Sequence, residues 1–299
     1  MNIVRFQVPV NCQIPYKNEI RKYMDCGVLL LPESYSMDNL PTRLIISCHG
    51  AGGSTTMEDS QIETQTITKY FLANGYAVMD VNGLPFRYAE EFDIDIRNNI
   101  GSNIAVDSYC AAYDFCVKNY NLYKEVFVHG GSMGGISSTN LVLSGRLPVI
   151  AQSGFCPVLD TYHEIFLHPW QDGLPKIALA KIYAFDCDAN GSYIYDEKKV
   201  RGLNPINSDQ PHPCPLLFCH SVNDKVVSHE ITKTYISKAA ESGAIAKLLL
   251  LPDGEHGPEN YGNIENPAGI NVFDNEELSI TIAVEEVFLW FEKFNFKES

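Results

Sequence analysis

No stretch of this 299-residue chain stays apolar for the roughly 20 residues that crossing a bilayer requires, so no membrane-spanning helix is expected. The opening residues Met1 to Pro9 alternate apolar and polar side chains, with no basic leader or apolar core, so no secretory signal is expected either. Positive charge is scarce: 22 Lys and Arg face 37 Asp and Glu, a net charge of -15. That field repels phosphate backbones and anionic lipid, which argues against nucleic-acid and membrane partners. The nine cysteines are odd in number and scattered. Cys214 and Cys219-His220 come nearest to metal ligands, but no second pair stands at zinc spacing, so neither a metal nor another cofactor is expected. Cys48 and Cys219 lie inside apolar runs, as buried reduced thiols of a cytoplasmic protein do. Internal repeats, low-complexity tracts and Gly/Ser linkers are also missing, which leaves one domain over residues 1–299.

The residues present are those of an ordinary globular chain, 45% hydrophobic and 20% charged. Short β-branched runs alternate with longer helical stretches, the pattern of a mostly parallel sheet covered by helices on both faces. Strands are expected at Val4–Val10, Tyr23–Leu31, Arg43–Cys48, Tyr76–Val81, Val126–His129, Leu147–Ser153, Leu216–Cys219 and Ala246–Leu251. Helices are expected at Ile62–Asn74, closed by Gly75, at Asn103–Asn119, from Ser132 to about Leu143, and near Glu277–Phe294. Residues 155–213 break the pattern. They carry Tyr162, Phe166, Trp170, Tyr183, Phe185, Tyr193 and Tyr195 among turn residues, and read as an inserted cap.

Gly130-Gly131-Ser132-Met133-Gly134 matches G-x-S-x-G, placed between a β run and a helix. A serine at such a turn is lifted above the sheet edge. Glycines two before and two after are needed where a Cβ would clash. The N–H of Met133, at the start of the helix, is placed to face a developing oxyanion. A glycine-rich turn without chemistry and a phosphate-cradling loop are the alternatives; the second lacks the Gly-Lys-Ser/Thr ending.

A serine hydroxyl needs a base, and a base needs an orienting acid. Asp224 follows the run Leu216–Cys219, and His256 follows Ala246–Leu251 between Gly254 and Gly257. The chain order Ser, Asp, His suits this reading. His49 and His129 end core strands and read as structural. His163, His168 and His212 fall in the cap. His220 precedes the acid loop, and His229 starts a helix. Asp253 and Glu255 stand too near His256 in sequence to face its ring easily.

His49-Gly50-Ala51-Gly52-Gly53 follows the third strand, and offers the N–H of Ala51, with Gly52 second, as the other oxyanion donor. A dinucleotide-binding loop is the alternative, but Thr55 stands where its last glycine belongs. With HGAGG, GGSMGG, the NDKVV segment at Asn223–Val227 and the GEHG segment at Gly254–Gly257, the chain resembles α/β-hydrolases over about residues 43–294. Within that superfamily it is similar to prolyl-oligopeptidase-like and dienelactone-hydrolase-like enzymes, and also to feruloyl-esterase-like enzymes. The resemblance implies an α/β-hydrolase fold and cleavage of an ester, thioester or amide through an acyl-enzyme. The chain has no room for the propeller that prolyl-oligopeptidase relatives carry, so the expectation favours a small-molecule ester, with a small or medium acyl group on a sugar or aryl alcohol. Small-peptide or amide hydrolysis is the alternative, and a non-catalytic binding module the third reading.

Overall fold

The computed structural model of the chain describes residues 1–14, 19–83, 98–168, 174–262 and 280–295. Strands β1 (Asn2–Ile14) and β2 (Glu19–Leu31) form a long antiparallel hairpin, in register from Asn2 opposite Leu31 to Ile14 opposite Glu19. The other strands are β3 (Thr42–Cys48), β4 (Ala77–Val81), β5 (Leu122–Gly131), β6 (Val149–Phe155), β7 (Leu216–Ser221) and β8 (Ala246–Leu251). All eight make one sheet in the order β1-β2-β4-β3-β5-β6-β7-β8. From β4 to β8 every pairing is parallel, and β2 joins β4 antiparallel.

Strand alternation explains the layering. Leu44 and Ile46 of β3, with Val126 and Val128 of β5, face one side. Ile45 and Phe127, one residue out of phase, face the other. The first side packs on α2 (Asn103–Asn119) and α3 (Met133–Leu143) through Ile104, Tyr109, Cys116 and Ile136. The second packs on α1 (Thr66–Ala73) and α7 (Ile282–Phe294), where Phe71, Phe127 and Phe291 stack. A smaller cluster seats Tyr235 and Ile236 of α6 (His229–Glu241) on Leu216 and Phe218. This is the α/β-hydrolase fold expected from the sequence.

Strands β1, β2 and β5 run longer than expected, and three further elements differ in detail. The helix foreseen over Ile62–Asn74 is a single 3-10 turn, Gln61–Glu63, followed by α1. The Thr64 hydroxyl closes that turn on the Gln61 carbonyl, and Gln65 is extended, which interrupts the helix. Gly75 does cap α1 in the left-handed conformation, φ 85°. Strand β6 starts two residues later than foreseen, because Pro148 has no N–H for the ladder. The last helix starts at Ile282; residues 277–279 lie outside the described residues.

Between β6 and β7, the stretch read as a cap contains a π-turn at Tyr162–Phe166, then α4 (Leu174–Ile182), α5 (Glu197–Val200) and a 3-10 turn at Pro205–Asn207. Asp196 caps α5 by accepting the Lys198 and Lys199 N–H groups. Tyr162, Phe166, Phe185 and Tyr195 pack ring against ring and join the larger of the core clusters. Trp170 lies outside the described residues. None of the nine cysteines is bonded to another, and seven are buried. No helix among the described residues is long and apolar enough to cross a membrane.

The crossing of α3 behind the end of β3 is tightly packed. A Cβ on Gly134 would stand 2.6 Å from the His49 carbonyl oxygen and nearer still to that of Cys48; one on Gly130 would stand 2.5 Å from the Ser138 hydroxyl. These are backbone neighbours or buried groups with nowhere to go. Gly134→Ala is therefore expected to cost about 2 kcal/mol or more in a urea unfolding experiment. An unchanged midpoint would show slack at this crossing that the packing does not allow.

Candidate active site

The C-terminal ends of β5, β7 and β8 bring three side chains into one row. Ser132 follows β5 directly, with φ 52° and ψ -124°. A non-glycine residue rarely adopts such a backbone, which costs of order 1–3 kcal/mol. Flanking bonds hold it. The Ser132 N–H donates to the Phe155 carbonyl at 2.9 Å, and the Ser132 carbonyl accepts from the Gly135 N–H at 2.8 Å and the Val158 N–H at 2.9 Å. The side chain is thereby aimed off the sheet edge.

The Ser132 hydroxyl lies 2.8 Å from Nε2 of His256, and Nδ1 of His256 lies 2.9 Å from Oδ2 of Asp224. A carboxylate can only accept, so Nδ1 carries the proton and Nε2 is left to accept from the hydroxyl. Asp224 is held in turn. Its Oδ1 accepts the N–H groups of Val226 at 2.7 Å and Val227 at 3.0 Å. Its Oδ2 accepts a second imidazole proton, from Nε2 of His220 at 3.1 Å. The Thr232 hydroxyl fixes the other nitrogen of His220 at 2.9 Å. The carboxylate has no solvent exposure. Burial alone would raise its pKa, but the His220, His256 and backbone donors together hold it well below the usual carboxylate range. Asp224 is therefore a fixed negative charge beneath the imidazole.

The loops that carry Asp224 and His256 are tied to each other. The Asn223 amide donates to the Asp253 carboxylate, and the Asn223 Oδ1 accepts the Glu255 N–H at 3.1 Å. Glu255 has φ 50° and Gly254 φ 119°, so the chain reverses just before His256. A Cβ on Gly254 would meet the Ser221 hydroxyl at 2.8 Å. Asp253 and Glu255 thus brace the loop rather than face the imidazole.

Across from the serine, Gly50 passes so close that a Cβ there would stand 3.5 Å from the Ser132 Cβ. Ala51 lines the same cleft as Ser132 and His256. Gly52, with φ 80°, turns the loop away and does not line that cleft. Met133 opens α3, where N–H groups have no intrahelical acceptor. The loop is anchored from below by Asp80 of β4, which accepts from His49 Nδ1 at 2.8 Å, Thr55 at 3.0 Å and Tyr109 at 2.8 Å. His129 is a different case. It is buried against Ser153, and burial pushes its pKa down to about 3, so it is neutral.

The cleft has a volume of about 410 Å³. Its polar wall includes Gln61, Gln65, Glu259 and Asn260, and Cys156 forms part of its floor. Among the described residues, Cys156, Asp224 and His256 are the group of donor atoms packed closely enough for a metal ion, within 4.8 Å of one another. Two of the three already serve each other as hydrogen-bond partners, and burial pushes the Cys156 thiol well above its ordinary range. On sequence alone, His220, Asn223 and Glu259 carry no site role. His220 near the end of β7 and Asn223 in the turn after it both closely precede the acid, which is a usable signal; nothing in the sequence marks the Glu259 carboxyl as shielded from solvent.

The chain is 24% identical over 275 residues to acylamino-acid-releasing enzyme 1 of Oryza sativa subsp. japonica, covering 89% of this chain and 34% of that protein. It therefore spans about a third of that relative's length. Its fold resembles that of the Pyrococcus horikoshii acylaminoacyl peptidase (TM-score 0.64, 14% identity, 100% of this chain and 43% of that one). It also resembles the esterase domain of a Rhodothermus marinus protein (TM-score 0.51, 17% identity, 86% and 90%). The profile of the prolyl oligopeptidase family matches residues 63–268, more than half of the chain, and the chain belongs to that family of serine hydrolases within the α/β-hydrolase superfamily.

Proposed function

We propose that the protein hydrolyses a small acyl ester or amide through an acyl-enzyme on Ser132. The observation that carries this reading is the row Ser132–His256–Asp224, with both links at hydrogen-bond length. In the proposed cycle His256 Nε2 takes the hydroxyl proton as Oγ attacks the carbonyl. The imidazolium so formed rests on the Asp224 carboxylate, then returns its proton to the leaving alcohol or amine. The N–H groups of Met133 and Ala51 stabilise the oxyanion, with Gly52 the second choice on the loop. Water takes the same path to release the acid.

The ester reading rests on the small cleft and on the likeness to an esterase domain. The amide reading has at least equal support. The family match and the similarity to a protein named as an acylamino-acid-releasing enzyme both favour it. The substrate is taken to be a small molecule in either case, acting in the cytoplasm, with no nucleic-acid or membrane partner. Matched ester and amide pairs of one acyl group, turned over by purified protein, separate the two readings.

Ser132→Ala is expected to abolish turnover of both members of such a pair, and to remove the mass shift that a fluorophosphonate adds to the peptide containing residue 132. Turnover that survives the substitution takes Ser132 out of the mechanism. Asp224→Asn is expected to lower kcat roughly 10³-fold or more, because an amide can present its N–H to Nδ1 and favour the wrong tautomer. The same variant has a second readout. The folded-state pKa of Asp224 is depressed below the ordinary value near 3.9, so its contribution to stability is present above about pH 4 and is lost as pH falls further. Stability measured below about pH 4 should fall less steeply in Asp224→Asn than in the parent.

A further inference from the structure

One carboxyl in the cleft has no part in the reaction as described. Glu259 lies in the 3-10 turn Pro258–Asn260, three residues after His256, and lines the same cleft as Ser132 and His256. Its Oε2 is out of contact with solvent and has no hydrogen-bond partner among the described residues. Burial raises its pKa above the ordinary range, while its own backbone N–H and the nearby His256 pull the other way. A buried carboxyl left in this state is costly unless a partner arrives.

The rest of the cleft says what kind of partner. Gln61, Thr64, Gln65 and Asn260 contribute uncharged polar groups, and no Lys or Arg lines it among the described residues. The chain as a whole carries a net charge of -15, a field that draws cations and repels anions. A sphere of the cleft's volume is roughly 9 Å across. A cation held by Glu259 is therefore only a few bonds from a carbonyl held at Ser132.

We infer that Glu259 is a specificity-determining residue, and that its carboxylate pairs with a protonated amine on the substrate's acyl part, as in an α-aminoacyl ester or amide. This rests on the reading of Ser132 as nucleophile. On that reading the enzyme selects acyl groups with a free ammonium near the scissile bond, and acylation of that amine removes the selected feature. A second possible role for Glu259, stabilising the His256 imidazolium, makes a different prediction: it would act on every substrate alike, charged or neutral.

The test compares L-alanine methyl ester with N-acetyl-L-alanine methyl ester, and the same two acyl groups as p-nitroanilides. It is run near about pH 6.5, where the free amine is protonated. The parent protein is expected to favour the free amine by about tenfold or more in kcat/KM. Glu259→Gln is expected to bring that ratio close to one, mainly through KM. A parent ratio at or below one overturns the inference. So does a Glu259→Gln variant that slows both members of the pair equally. Should that variant fail to fold, inhibition of the parent by L-alaninamide and by N-acetyl-L-alaninamide gives the same ratio without a substitution, and equal inhibition overturns the inference. Absence of fluorophosphonate labelling at Ser132, together with no turnover of any of the four, instead removes the hydrolase reading itself and the inference with it.

Discussion

The backbone of Ser132 depends on a close approach that side chains would prevent. Gly130 of β5 lies against Gly134 and Ser138 of α3, and Gly134 lies against the carbonyls of Cys48 and His49. Only with hydrogen at both positions can the chain turn from strand to helix within one residue. That turn fixes the direction of the hydroxyl, places Met133 at the head of a helix, and brings Gly50 alongside. The proposed nucleophile, one proposed oxyanion donor and the loop that carries the other are set by one packing constraint.

Electrostatics is arranged in two layers around it. Below the imidazole, Asp224 gathers two histidines and two backbone N–H groups. Below the glycine loop, Asp80 gathers His49, Thr55 and Tyr109. Each carboxylate is buried, and each is surrounded by donors from several elements, so moving any one of them would strand a charge. Preorganisation of this kind spares the reaction the cost of turning solvent dipoles.

The framework was legible in the sequence because its signals are local. Alternation within Leu44–Ile46 and Val126–Val128 records two faces of one sheet, and Gly130-Gly131-Ser132-Met133-Gly134 records a turn. Less legible was anything decided by distant packing. The break at Gln65 is set by one hydroxyl on one carbonyl. The sequence places His220 just before the acid loop; that it donates to Asp224 depends on α6 bringing Thr232 to its other nitrogen. Glu259 reads as any other acidic residue in a turn, since burial is a property of the neighbours and not of the residue. The histidines at 49 and 129 are buried and hydrogen-bonded in the core, which their positions at strand ends foreshadowed.

The hydrogen bond between Ser132 and His256 joins residues 124 apart in sequence. Three parallel pairings, from β5 to β8, must be complete before the two can meet. Long-range closures of this sort come late in folding, because chain entropy is lost before contacts repay it. A nascent or half-folded chain would thus carry an inert serine. On the proposed mechanism the chemistry switches on only when the last strand docks and brings the base to the hydroxyl.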